Sequence, residues 1–140
     1  MKNIFIDTNV IIDLLGNRES FSNAATELFD LYANNKKKIF VSAASYTNVY
    51  YLLHKQVKSH KSVMNLLSIL YEITELLDVN KNVINKSLHS DFVDFEDAVQ
   101  FYSALSNAKI DIIVTRDKKG FKKSTLLVLD VEQALRVCMQ

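Results

Sequence analysis

The chain has no proline and only two glycines, Gly16 and Gly120, among 140 residues. A Gly-rich phosphate loop and a dinucleotide-binding fingerprint are thereby excluded, since both need several glycines at fixed spacing. With so few loop formers, connections are expected to be short and helix content high. The one cysteine, Cys138, rules out an intramolecular disulfide and points to an intracellular, cytoplasmic setting. On an apolar helix face, that thiol reads as core. No stretch is apolar for the length a bilayer requires. The amino terminus passes from one lysine into an apolar run without a secretory pattern, so no membrane association is expected. The net charge is +1, which supplies no global basic field. Nucleic-acid binding, if present, must come from a local patch.

What the chain does contain is alternation. Its length suits one domain over residues 1–140 with a sizeable core, and 49% of the residues are hydrophobic. Short apolar runs predict strands at about Asn3 to Ile6, Ile39 to Val41, Leu76 to Val79, Asp111 to Val114 and Leu126 to Leu129. Between them lie helical patterns. Asp7 or Thr8 caps a helix to Leu15 that Gly16 ends, and Ser20 caps one with Phe21, Ala24, Ala25, Leu28, Phe29 and Tyr32 on its face. Further helices cover Ser42 to Val57, with Val49, Leu52 and Leu53 on one side, and Lys61 to Glu75, with Val63, Leu66, Leu67, Leu70 and Tyr71 facing in. Asn82 to His89 forms a short helix. A strong one opens at Asp94, with Phe95, Ala98, Val99, Tyr102 and Leu105 inward, and Val131 to Met139 closes the chain. Strands alternating with helices predict an α/β fold: a three-layer α/β/α sandwich around a mostly parallel sheet of four to five strands. The first strand, apolar on both faces, should sit centrally.

Two of these strands end in acids. Asn3-Ile4-Phe5-Ile6 runs into Asp7-Thr8-Asn9, and Ile112-Ile113-Val114 into Thr115-Arg116-Asp117. In a parallel sheet both ends reach the mouth where open α/β folds bind ligands. Converging carboxylates repel, and a hard divalent cation is the simplest compensation. Asp94, Glu96 and Asp97 crowd the first turn of one helix, with Asp94 and Asp97 sharing a face. Each of these acids also has a plain role as a helix cap or dipole partner, contributing about 0.3–1 kcal/mol. Asp130, which ends a strand as well, is read as such a cap.

The segments Phe5-Ile6-Asp7-Thr8-Asn9-Val10, Asp94-Phe95-Glu96-Asp97-Ala98 and Val114-Thr115-Arg116-Asp117, followed by Phe121, together resemble the PIN-domain family, a ribonuclease fold common among the toxins of bacterial toxin–antitoxin pairs. The resemblance spans most of the chain in the family's order. It implies a Mg²⁺- or Mn²⁺-dependent endoribonuclease. Asp7, Asp97 and Asp117 match the family's metal-binding acids, Asn9 and Thr115 its supporting polar residues. Asp94 falls one turn before Asp97, as a second-metal or outer ligand. There is one departure. Asn48 stands where such proteins usually carry a Glu, which removes one negative charge and should lower Mg²⁺ affinity. Glu96 could substitute for the missing charge in principle, but it is rotated about 100° from Asp97 around the helix axis and is expected to face solvent or a neighbouring helix.

RNA needs a cationic approach. Lys118, Lys119, Lys122 and Lys123 follow Asp117 and are read as phosphate contacts. Arg116 is read as contacting phosphate or pairing with a helix-opening acid. Lys36, Lys37 and Lys38, at the opposite edge of the sheet, read as a solvated face. Tyr46, Tyr50 and Tyr51 suit a core or partner groove better than base stacking, and His54, His60 and His89 suit surface or packing roles. The resemblance further implies a homodimer and an antitoxin partner. Three other readings stand beside the ribonuclease. Asn48 favours a catalytically weak or inactive PIN-like module that binds RNA without cutting it. A receiver-type signalling domain needs an acid ending a middle strand and a Lys ending a late one, and Asp78 and the Leu126–Leu129 run fit that poorly. A metal-dependent phosphohydrolase acting on DNA or small phosphates would share the chemistry at phosphorus.

Overall fold

A computed structural model describes residues 1–16 and 19–139. Five parallel strands form one sheet in the order β3-β2-β1-β4-β5. They are β1 (Ile4–Ile6), β2 (Ile39–Ser42), β3 (Thr74–Leu77), β4 (Ile112–Val114) and β5 (Leu127–Leu129). The helices are α1 (Thr8–Leu15), α2 (Glu19–Asn34), α3 (Ala43–Val57), α4 (His60–Ile73), α5 (Lys81–Leu88), α6 (Phe95–Leu105) and α7 (Val131–Cys138), with a 3-10 turn at Lys118–Phe121. The expected α/β sandwich is therefore present, and β1 lies at the centre of the sheet.

Period-two alternation along the strands separates two cores. Ile4, Ile6, Ile39, Val41, Ile112 and Val114 face one layer, packed by residues of α1, α2, α3, α4 and α7. Phe5, Leu77 and Ile113 face the other, with Phe101 and Ala104 of α6 and Phe121 of the 3-10 turn. All three residues of β1 are fully buried, as a central strand covered on both faces requires. Cys138 is buried in the first core beside Tyr32.

Several boundaries and faces differ from the sequence pattern. The third strand starts two residues early, at Thr74, because that residue ends α4. Its backbone is extended and its hydroxyl donates to the Leu70 carbonyl at 2.6 Å. Asp78 thus follows β3 directly, but β3 is an edge strand, which keeps the receiver-type reading behind. On α6, Phe101 and Ala104 enter the core while Phe95 and Leu105 are exposed; the helix packs against β2, α5 and the 3-10 turn at once, so its buried face is broader than one stripe. Tyr71 and Phe21 are also exposed. The cap assigned to Ser20 lies outside the residues whose side chains are described.

The sheet's integrity rests on its centre. Truncating the fully buried Phe5 to alanine should lower unfolding free energy by about 3–5 kcal/mol, read from urea denaturation.

Candidate active site

The register of the sheet builds the site. Ile6 pairs with Val114 across β1 and β4, so the next residues, Asp7 and Thr115, emerge side by side at the carboxyl ends of the strands. The Thr115 hydroxyl donates to Asp7 Oδ2 at 2.9 Å and accepts the Asp117 backbone N–H at 3.0 Å. One buried hydroxyl thus sets the spacing of two acids. Asp7 Oδ1 accepts the Thr8 N–H at 2.8 Å, which makes Asp7 the cap of α1. Asn9 clips the strands together from above: its amide donates to Thr115 Oγ1 at 3.2 Å and its oxygen accepts the Arg116 N–H at 3.2 Å. Asp94 caps α6 by accepting the Asp97 N–H at 3.0 Å, and Asp117 accepts the Gly120 N–H at 3.3 Å.

These elements bring Asp7, Asp94, Asp97 and Asp117 around one open pocket of about 280 Å³, together with Glu96, Thr8, Asn9, Ile12 and Leu52. Larger concavities lie beside Arg116 and beside Lys36 to Lys38, but the first sets Arg116 among Asp13, Asp130 and Glu132 and the second holds one acid, Glu75. Burial pushes the Asp7 carboxyl up to about 6, against the lowering effect of its bonds from Thr115 and Thr8; the nearby charges of Glu96 and Asp117 push it further up. Asp97 is pushed up to about 7, first by burial and then by Asp7, Asp94, Asp117 and Glu96. The pocket therefore favours a positive occupant.

Residue 120 carries a further feature. A Cβ placed there would stand 2.3 Å from Asp97 Oδ2 and 2.9 Å from Asp117 Oδ2. Both carboxylates thus lean over a space that only glycine leaves open. Among the described residues no three His, Cys, Asp or Glu side chains stand as a ready-made cation cage. The donors are nevertheless all carboxylate oxygens, the chemistry a hard cation takes, and the gap at Gly120 leaves Asp97 and Asp117 free to converge. Asp7, Asp94, Glu96, Asp97 and Asp117 are the carboxylates of this pocket that could hold such an ion.

Other residues singled out in the sequence lie elsewhere. Arg116 turns away from the pocket. Its Nε and Nη2 donate to the two carboxylate oxygens of Asp13 at 2.7 and 3.1 Å, and its guanidinium covers the Phe21 ring at 4.3 Å. Asp13 is a buried residue within α1, not a helix-opening acid. Lys118 reaches α7, donating to Gln133 at 3.0 Å. Lys119, Lys122 and Lys123 are exposed around the 3-10 turn. Asn48, on α3, donates to Glu96 Oε1 at 2.7 Å. Glu96 is exposed and bonded to a neighbouring helix, as expected, yet it also borders the pocket. Tyr50 packs with His54 and His60, and Tyr51 lies exposed under Lys55. Asp130 caps α7 in a capping box.

Sequence reasoning missed Gln100. Its amide is fully buried and donates to Thr8 Oγ1 at 3.0 Å and Ser45 Oγ at 2.8 Å, tying α6 to α1 and α3 directly behind Asp7. The available signal was its position three residues after Asp97, on the face that Asp94 and Asp97 share.

The profile of the PIN domain matches residues 3–119. Ribonuclease VapC1 of Aquifex aeolicus (strain VF5) is 26% identical over 135 residues, covering 93% of this chain and 91% of that protein. A chain in the crystal structure of VapBC2 from Rickettsia felis, bound to a DNA fragment from their promoter, superposes with a TM-score of 0.66 at 18% identity, over 91% of this chain and 96% of that one. Mycobacterium tuberculosis VapC20, a sarcin-ricin loop cleaving toxin, gives a TM-score of 0.63 at 16% identity, over 79% and 87% of the two chains.

Two outcomes follow from the geometry. The raised carboxyls of Asp7 and Asp97 bind protons more tightly in the folded than in the unfolded chain, whose value is near 3.8. That stabilisation is complete below the unfolded value and disappears as pH rises through 6 to 7. The melting temperature in EDTA should therefore fall from about pH 5 to about pH 8, and added Mn²⁺ should raise it most at the alkaline end. Gly120→Ala should leave the fold intact, since the colliding atoms end flexible side chains. By displacing the Asp97 carboxylate it should weaken Mn²⁺ binding about tenfold or more, read by calorimetric titration.

Proposed function

The chain belongs to the PIN-domain family, and from that premise we propose that it is a Mg²⁺- or Mn²⁺-dependent endoribonuclease, the toxin of a toxin–antitoxin pair. The observation that carries this reading is the meeting of Asp7, Asp97 and Asp117 at one small open pocket over the gap at Gly120. The ribonuclease name of the Aquifex aeolicus relative supports it.

Asp7, Asp97 and Asp117 would hold the cation, with Asp94 at its edge. A bound Mg²⁺ or Mn²⁺ supplies a water of lowered pKa and offsets the charge that builds on the phosphorus oxygens. The chain's own groups do the rest. Thr115 keeps Asp7 and Asp117 in register through its single hydroxyl. Asn9 locks the end of β4 to the start of α1, so the acids cannot drift apart as the phosphate approaches. Gln100 braces Thr8 from below. No histidine borders the pocket among the described residues, so no imidazole base is assigned. Asp7 and Asp97 shed their protons as pH rises through about 6 to 7, so cation binding, and activity with it, should rise over that range.

Lys119 and Lys122 are exposed beside the acidic mouth and are proposed to meet the RNA phosphates. Lys118, drawn towards α7, takes a lesser part, and Arg116 acts structurally through Asp13. An antitoxin and a second copy of the chain are the proposed protein partners, in a cytoplasmic setting.

The test is incubation of the purified protein with structured and single-stranded RNAs and single-stranded DNA, in Mn²⁺, Mg²⁺ or EDTA, beside Asp7→Asn. Metal-dependent RNA cleavage that falls at least about a hundredfold in the variant is the expected result. RNA binding without cleavage under either metal would replace the nuclease with a binding module, and cleavage confined to DNA would replace its substrate.

A further inference from the structure

The acidic pocket has a carboxylate on its rim that a helical-wheel reading places outside it. Glu96 is the second residue of α6, and its neighbour Asp97 points into the pocket. A Glu has one methylene more than an Asp, so it can curl around the helix end where an Asp cannot. What draws it round is visible. Asn48, from α3, donates its amide N–H to Glu96 Oε1 at 2.7 Å, from just outside the residues that line the pocket. Asn48 is half-buried and cannot ionise, so it holds a carboxylate without neutralising it. A carboxylate has two oxygens, and one hydrogen bond leaves the other for a second partner. Glu96 thus borders the same cavity as Asp7, Asp97 and Asp117 and is tied to α3 through Asn48.

We propose that Glu96, oriented by Asn48, is the fourth carboxylate of the divalent-cation centre, and that Asn48 is its positioning residue. The inference rests on the reading of the pocket as a cation site. The amide at position 48 then accompanies a negative charge delivered from the neighbouring helix. Charge count and ligand number are the main determinants of hard-cation affinity, so the fourth acid would strengthen binding.

The test is Mn²⁺ binding to the full chain at pH 8, followed by titration calorimetry and by the electron paramagnetic resonance signal of free Mn²⁺. Variants are Glu96→Gln, Glu96→Asp, Asn48→Ala, the Asn48→Ala/Glu96→Gln double variant, Asp7→Asn, and Glu72→Gln as an exposed control on α4. All of the altered Asn48 and Glu96 positions lie at the surface rim, and melting curves in EDTA check the fold. Glu96→Gln should raise the Mn²⁺ dissociation constant about tenfold or more, and Asn48→Ala severalfold. The double variant should be no weaker than Glu96→Gln alone, because Asn48 acts only through Glu96. Glu96→Asp keeps the charge but loses the reach, and should also bind more weakly. Wild-type affinity in Glu96→Asp, or additive losses in the double variant, would overturn the proposal and leave Glu96 as a distant charge. Loss of binding in Asp7→Asn with none in Glu96→Gln overturns this inference alone. Unchanged binding in Asp7→Asn overturns the cation site itself and the inference with it.

Discussion

Carboxylates that share a small, partly dry pocket oppose one another, and the architecture around Asp7 is organised by that opposition. Asp7 is nearly fully buried at the end of the central strand, where burial alone favours its protonated form. Hydrogen bonds from Thr115 and Thr8 pull in the other direction, favouring the anion. Asp97 lacks comparable support and is pushed up first by burial and then by the acids that face it. The pocket's carboxylates are thus in electrostatic opposition, and the natural relief is a positive charge. Functional sites often hold groups in such a state at the expense of stability.

The fold supplies this arrangement with little machinery. Parallel pairing of β1 with β4 puts Asp7 beside Thr115, and two more residues bring in Asp117. The 3-10 turn then folds back so that Gly120 passes under the carboxylates of Asp97 and Asp117. The capping of α6 by Asp94 fixes the first turn that carries Asp97. Behind the acids, Gln100, Thr8 and Ser45 form a polar cluster that links three helices. The Arg116–Asp13 pair sits on the outer flank, anchoring the loop after β4 to α1. A bidentate arginine with a buried carboxylate sets geometry more than it adds net stability.

Much of this was legible in the residues. Five of five strands were placed, and the two that end in acids pointed to the pocket because strand ends in a parallel sheet share one side. The cap roles of Asp7, Asp94 and Asp130 were visible as well. Glu96 was legible as a candidate for the missing charge, but its orientation was not, because a helical wheel treats side chains as spokes and cannot see Asn48 reaching across from α3. Arg116 was open between two readings, and its partner Asp13 lay inside an apolar helix pattern where no charge was sought. Gly120 was counted among the scarce glycines, but only coordinates reveal that a methyl group there would strike Asp97. The early start of β3 was hidden in the helix-like continuity of Tyr71-Glu72-Ile73-Thr74. These are contacts between distant segments, which local patterning does not encode.

The acids at the sheet mouth are proposed to form a divalent-cation site. The most direct test is an anomalous difference map from crystals of this protein soaked in Mn²⁺. A peak enclosed by Asp7, Asp97 and Asp117, beside the gap at Gly120, is the expected result. A well-ordered pocket with no peak there, in crystals that hold Mn²⁺ elsewhere, would contradict it.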